Sequence, residues 1–152
     1  MHIVLVEPEI PGNTGNIARL CAATGCELHL IKPLGFSIED RYLKRAGLDY
    51  WHLVKVHIHE NFAEVLELYK GHKFYFNTTK AHKCHSDITY QVNDLLVFGK
   101  ETAGLPQELL ADYPENCVRI PMLDDARSLN LSNAVAVVVY EALRQQDFPG
   151  LR

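Results

Sequence analysis

No stretch of this chain approaches the ~18 consecutive apolar residues that a membrane span requires. The opening "MHIVLVEPE" has no cationic segment and only a short apolar run, which excludes a secretory signal. Together these point to a cytoplasmic protein with no membrane partner. The four cysteines, Cys21, Cys26, Cys84 and Cys117, show no CxxC and no even spacing, so they read as reduced thiols rather than a disulfide framework. Excess positive charge is also missing. A net charge of −4 and a pI near 6.0 exclude a general polyanion binder, and a nucleic-acid partner would need a local basic patch. No low-complexity linker and no internal repeat divides the chain, so residues 1–152 are expected to form one domain, long enough for a real core.

Familiar ligand signatures are absent as well. "EPEIPGNTGN" resembles a nucleotide loop but lacks GxGxxG. Gly99-Lys100 looks like the end of a Walker A motif, yet Asp94 and Glu101 stand where Gly and Ser or Thr belong. No GxSxG exists for a nucleophile elbow. "HKCH", His82 to His85, has no matching second pair, and His57 and His59 share a strand face as surface or partly buried residues. No metal site is expected.

What is present is alternation. Apolar β-type runs ("HIVLVE", "ELHLI", "HLVKVHI", "KFYFN", "DLLVFG", "CVRI") alternate with helical ones. "NTGNIARLCAATG" reads as a helix closed by Gly25. "SIEDRYLKRAG" reads as one capped by Ser37 and stopped by Gly47. "NFAEVLELYK" begins at Asn61 with Glu64 three residues on, and a short helix follows Pro106. Repeated β-α units imply an α/β fold with a mainly parallel sheet flanked by helices.

"SLNLSNAVAVVVYEAL", Ser128 to Leu143, is ambiguous by composition. Its valines favour a strand, but the run is too long for one. As a helix, positions 135, 138, 139 and 142 form one apolar face, and Val137 and Tyr140 form a second. A helix apolar on two sides needs two covers, and a partner subunit is a reasonable second. One Ser or Asn would satisfy its cap; Ser128, Asn130, Ser132 and Asn133 exceed that need and offer polar groups to a ligand. Basic residues gather locally: Arg19, then Arg41, Lys44 and Arg45, then Lys80 and Lys83. Each group alone is an ordinary solvated face; together they form a candidate phosphate-binding patch.

In parallel α/β sheets ligands bind beyond the carboxyl ends of the strands. Three long motifs sit at such ends: "PEIPGNTGNIARLCAATG", "LLVFGKETAGLP" and "RIPMLDDARSLNLSNAVAVVVYEALRQ". With "RAGLDYW", they resemble the SPOUT class of S-adenosylmethionine-dependent RNA methyltransferases over essentially the whole chain. The subfamily they look most like is the minimal bacterial enzymes that methylate the ribose 2′-hydroxyl of the tRNA wobble nucleotide, position 34, in leucine tRNAs. The resemblance implies a C-terminal trefoil knot, a homodimer that holds the tRNA anticodon arm itself, and S-adenosyl-L-methionine as cofactor. It implies cofactor contacts at Asn77, Thr78, Gly99, Glu101, Gly104, Ile120, Met122, Ser128 and Leu129. It points to Arg19 as the central catalytic residue, with Asn16, Asn130 and Ser132 orienting the hydroxyl or the guanidinium. Glu7 and Glu101 are the carboxylates expected nearby. Some relatives carry Pro and Arg where this chain has Lys100 and Ala103. A nucleotide-dependent oxidoreductase, a non-catalytic RNA-binding module and methylation of another tRNA or rRNA ribose are the rival readings.

Overall fold

The computed structural model describes residues 1–39, 41, 45 and 50–152. Six strands form one parallel sheet: β1 (His2–Val6), β2 (Glu27–Ile31), β3 (Val56–His59), β4 (Phe74–Asn77), β5 (Leu95–Phe98) and β6 (Cys117–Val118). Their order is β3-β2-β1-β5-β4-β6. Chain order reverses direction across the β1–β5 pair, the kind of position where α/β sheets open a crevice.

Strand alternation gives the sheet two buried faces. Ile3 and Leu5, Leu28 and Leu30, and Leu96 and Phe98 point to one side, under α1 (Pro11–Thr24) and α4 (Leu131–Gln145). Val4 and Val6, Ile31, Phe74 and Phe76, and Leu95 and Val97 point to the other, against α2 (Phe62–Leu68) and α3 (Gln107–Asp112).

Local signals start and stop the helices as expected. Pro11 occupies the first turn of α1, and Gly25 ends it in the left-handed region at φ 73° while donating its N–H to Cys21 O at 2.8 Å. Asn61 Oδ1 caps α2 by accepting from Glu64 N, 3.1 Å, and the Glu64 carboxylate accepts from Glu60 N, 3.1 Å. In α4 the buried side chains are Val135, Val138, Val139, Ala142 and Leu143. Burying each valine is worth about 1.5–3 kcal/mol, far above its deficit of under ~1 kcal/mol in helix propensity. That surplus makes this valine-rich run a helix. Val137 and Tyr140 remain exposed, at 42% and 46%.

Two boundaries differ from the sequence reading. The strand expected over 52–58 begins only at Val56, because Leu53 N and Val54 N bond back to Tyr50 O and Trp51 O in a turn. "CVRI" is a strand only at Cys117–Val118, extended by a single bridge between Arg119 and Cys84. Most of the helix expected over 37–47, and most of the "RAGLDYW" motif, lie outside the described residues; Ser37 Oγ accepts from Glu39 N at 3.1 Å. Among the described residues no helix is long and apolar enough to cross a membrane.

Candidate active site

The carboxyl ends of β4 and β5 deliver Asn77 and Phe98 to one edge of the sheet, where the chain leaves each strand into a loop. A cavity of about 580 Å³ opens there. Its walls come from the β1–α1 loop and the first turn of α1 (Ile10, Asn13), the turn after β4 (Asn77 to Lys80), the loop after β5 (Gly99 to Leu105), and the segment between β6 and α4 (Ile120, Met122, Arg127 to Asn130). Every residue expected to touch the cofactor lines it: Asn77, Thr78, Gly99, Glu101, Gly104, Ile120, Met122, Ser128 and Leu129.

Side-chain carboxylates and amides hold these loops in register. Glu101 accepts from Glu9 N (2.8 Å), Ile10 N (3.0 Å) and Asn13 Nδ2 (3.2 Å). Asn13 Oδ1 accepts from Asn130 Nδ2 at 3.1 Å. Asn130 Oδ1 caps α4, accepting from Ser132 N (3.0 Å), Ser132 Oγ (2.6 Å) and Asn133 N (3.3 Å). One unbroken chain of hydrogen bonds thus runs from the loop after β5, through α1, to the start of α4. Glu9 adds a second tie by accepting from Thr102 N and Oγ1 at 3.0 and 2.9 Å. Sequence reading missed Glu9 and Asn13. Their partners stand about 90 or more positions away, so only the fold shows the pairing. The signal that was available is that Glu9 and Asn13 belong to the same polar stretch, from the end of β1 into α1, as Glu7 and Asn16.

Glu101 and Asn130 therefore brace the site as well as line it. Glu7 is engaged by Lys100, whose Nζ lies 3.1 Å from its Oε2. Lys80 lines the cavity, while Lys83 donates to Glu115 O at 3.1 Å; Lys44 lies outside the described residues. Ser132 joins the constellation through Asn130. Asn16 and Arg19 do not line the cavity: both are exposed on α1, and the Arg19 guanidinium sits 4.8 Å over the Tyr50 ring.

Two features show that the cavity is shaped for a ligand. Asn77 Nδ2 donates to the carbonyls of Tyr75 (3.3 Å) and Val97 (3.2 Å), which fixes the orientation of the amide. Its Oδ1 is then a buried acceptor with no partner among the described residues, a costly state unless a ligand donates to it. Gly99 is the second. A Cβ there would lie 2.0 Å from Gly104 C and 2.2 Å from Leu105 N, so only glycine lets these backbones approach. An adenosyl group carries N–H and O–H donors and a flat apolar face, and the cavity volume is in the ordinary range of cofactor pockets. The residues present fit S-adenosylmethionine.

Parallel strands, two helical layers and a loop-walled cavity at the strand carboxyl ends define an α/β fold with a ligand-sized site at its strand ends. The chain belongs to the SpoU rRNA Methylase family, whose sequence pattern matches residues 1–140. It is 52% identical over 151 residues to the tRNA (cytidine(34)-2′-O)-methyltransferase of Escherichia coli strain K12, covering 99% of this chain and 96% of that one. A structure solved to explain the 2-OH methylation of C/U34 on tRNA superposes with a TM-score of 0.92 at 46% identity, covering 96% of this chain and 95% of the other. An AdoMet-bound rRNA methyltransferase from Sinorhizobium meliloti superposes at 0.83 with 25% identity, over 94% of this chain and 55% of that one.

Proposed function

We propose that this protein transfers a methyl group from S-adenosyl-L-methionine to the ribose 2′-hydroxyl of the wobble nucleotide, position 34, of tRNA, with leucine tRNAs as its substrates. The observation that carries this reading is the convergence of the three family motifs on one cavity with an orphaned acceptor and a glycine cradle. Likeness to full-length relatives that bear this activity supports it.

Asn77, Gly99, Ile120 and Ser128 would hold the cofactor, with Thr78, Glu101, Gly104, Met122 and Leu129 beside them. When bound, the cofactor supplies an activated methyl on a sulfonium. The chain's own task is positioning and charge. Asn130 and Ser132 present an amide and a hydroxyl at the amino end of α4, where they orient the acceptor ribose. A guanidinium offers donors and no acceptor, so Arg19 binds an adjacent phosphate or stabilises developing oxyanion charge instead of taking the proton. Asn16, one turn away on the same exposed stretch of α1, supports it. Lys80 at the cavity margin adds phosphate attraction.

A single domain over 1–152, a C-terminal trefoil knot that threads the third motif past the second, and a cytoplasmic location belong to the same proposal. So does a homodimer holding the anticodon arm. The exposed Val137 and Tyr140 on α4 supply an apolar surface for the second copy.

Methyl transfer from labelled cofactor to bulk tRNA, with mapping of the modified nucleotide, tests the reading. Label at position 34 that disappears when that ribose is 2′-deoxy supports it. Label on another nucleotide, or tRNA binding without transfer, refutes it.

A further inference from the structure

The sheet face opposite α1 and α4 carries a group of imidazoles that the proposed function does not use. Register sets His2 beside Glu27 and His29 beside His57. Alternate residues share a face, so these side chains, with His59, project to the same side of three adjacent strands. His2 and Glu27 open β1 and β2 and His29 sits mid-strand, whereas the cavity lies at the carboxyl ends of β4 and β5.

Their spacing is that of ligands around one ion. His2 Nδ1, His29 Nε2 and a Glu27 carboxylate oxygen all lie within 4.8 Å of one another. His2 Nδ1 is 3.1 Å from His29 Nε2 and 4.0 Å from Glu27 Oε2, and His57 Nε2 is 2.8 Å from that same oxygen. Tetrahedral coordination at about 2.0–2.1 Å places neighbouring ligand atoms roughly 3.3 Å apart, within the observed spread. An outer shell is already built. His29 Nδ1 pairs with His59 Nε2 at 3.0 Å, and His59 Nδ1 lies 3.7 Å from Glu64 Oε2. With His29 donating through Nδ1, its Nε2 lone pair faces His2, the tautomer a metal ligand requires. The Tyr69 ring packs on both imidazoles, with centroids 4.7 Å from His2 and 5.3 Å from His29.

We propose that His2, Glu27 and His29 form a binding site for a divalent transition-metal ion of the zinc class, separate from the RNA-modifying cavity, with His57 holding the Glu27 carboxylate from outside. In the metal-free protein one ring proton bridges His2 Nδ1 and His29 Nε2. On binding, that proton moves to the outer ring nitrogen of His2, and the ion takes the lone pairs of both rings while His57 keeps its hydrogen bond to Glu27. Glu27 and His57 are partly exposed and give the ion access; Lys55, 3.4 Å from Glu27 Oε1, is the competing cation. The bound ion ties β1 and β2 together. Neither CxxC nor HxxxH spacing marks the site, because strand register alone assembles it.

The test uses the full chain without an affinity tag, stripped by chelator and titrated with cobalt(II). The expected result is one cobalt per chain, with visible d–d absorption, no thiolate charge-transfer band, and displacement by zinc. Glu27→Gln and His57→Ala should each weaken binding by at least about tenfold, while Cys84→Ser, in the "HKCH" run, should leave it unchanged. A second readout needs no variant: adding zinc to uniformly 15N-labelled protein should shift the imidazole nitrogens of His2, His29 and His57. Absence of saturable binding, full affinity in folded Glu27→Gln and His57→Ala, a thiolate band lost in Cys84→Ser, or unmoved imidazole signals would each overturn the proposal.

Discussion

Replacing Gly99 by alanine isolates the close backbone approach that shapes the cavity. The added Cβ would stand 2.0 Å from Gly104 C, 2.2 Å from Leu105 N and 2.4 Å from Gly104 O. Carbon atoms rest about 3.5–4.0 Å apart, so the two arms of this loop must part by roughly 1.5 Å. The Gly104 N to Lys100 O bond, 2.9 Å, resists that separation. Losing it costs about 0.5–1.5 kcal/mol, and overpacking adds about 1–3 kcal/mol. In a chain of this size each kcal/mol lowers Tm by about 2–4 °C, so a drop of roughly 5–15 °C is expected. The cavity wall moves with the loop, so titration calorimetry with S-adenosylhomocysteine should show most of the affinity lost. Gly12→Ala is the control, since nothing lies within 4 Å of its added Cβ. Wild-type Tm and affinity in Gly99→Ala would show that the approach between residues 99 and 104 shapes nothing.

Other outcomes follow from the same structure. Asn13→Ala removes the link between Glu101 and Asn130 and should cost about 1–3 kcal/mol by urea unfolding, with a larger loss in cofactor affinity than in the rate at saturation. Arg19→Ala, at an exposed residue outside the cavity, should abolish methyl transfer while S-adenosylhomocysteine affinity stays within about twofold; joint loss of both would make Arg19 structural. If the proposed homodimer forms through α4, light scattering should give the wild type a dimer's mass and Val137→Asp combined with Tyr140→Asp a monomer's; a monomeric wild type, or an unchanged mass in the double variant, would contradict that interface. Acid should weaken the chelator-treated protein through His29. Burial first, and then the neighbouring His57, His2 and His59, hold this ring at about 3 against an ordinary 6.5. The unfolded chain therefore binds the extra proton. The stability is fully present above pH 6.5 and drains as pH falls toward 3, by about 2 kcal/mol between pH 7 and pH 5. A urea midpoint flat across that interval would contradict the assignment.

Much of the architecture was legible because its signals are local. Pro11 and Gly25 bracket α1, Asn61 and Glu64 start α2, and the apolar strand runs fall where strands form. The error at 52–58 has the same origin. "HLVKVHI" alternates like a strand, but the preceding turn bonds Leu53 and Val54 back toward Tyr50 and Trp51. The site was legible as motifs and illegible as a network. The residues expected to hold the cofactor do line one cavity, yet nothing local reveals that Glu101 braces Asn13, or that Asn13 reaches Asn130. Arg19 and Asn16 stand exposed on α1, outside the cavity wall. The imidazole group is the extreme case: His2, His29 and His57 lie on three strands, and one residue of register slip would scatter them between the two faces.

The most direct measurement is a crystal structure of the protein with S-adenosylhomocysteine. The account predicts ligand density between the loop after β5 and the start of α4, with a donor of the ligand on Asn77 Oδ1 and its backbone neighbours at Gly99 and Ser128. A cavity filled by a different molecule, or a ligand seated elsewhere with Asn77 Oδ1 still unpaired, would contradict it.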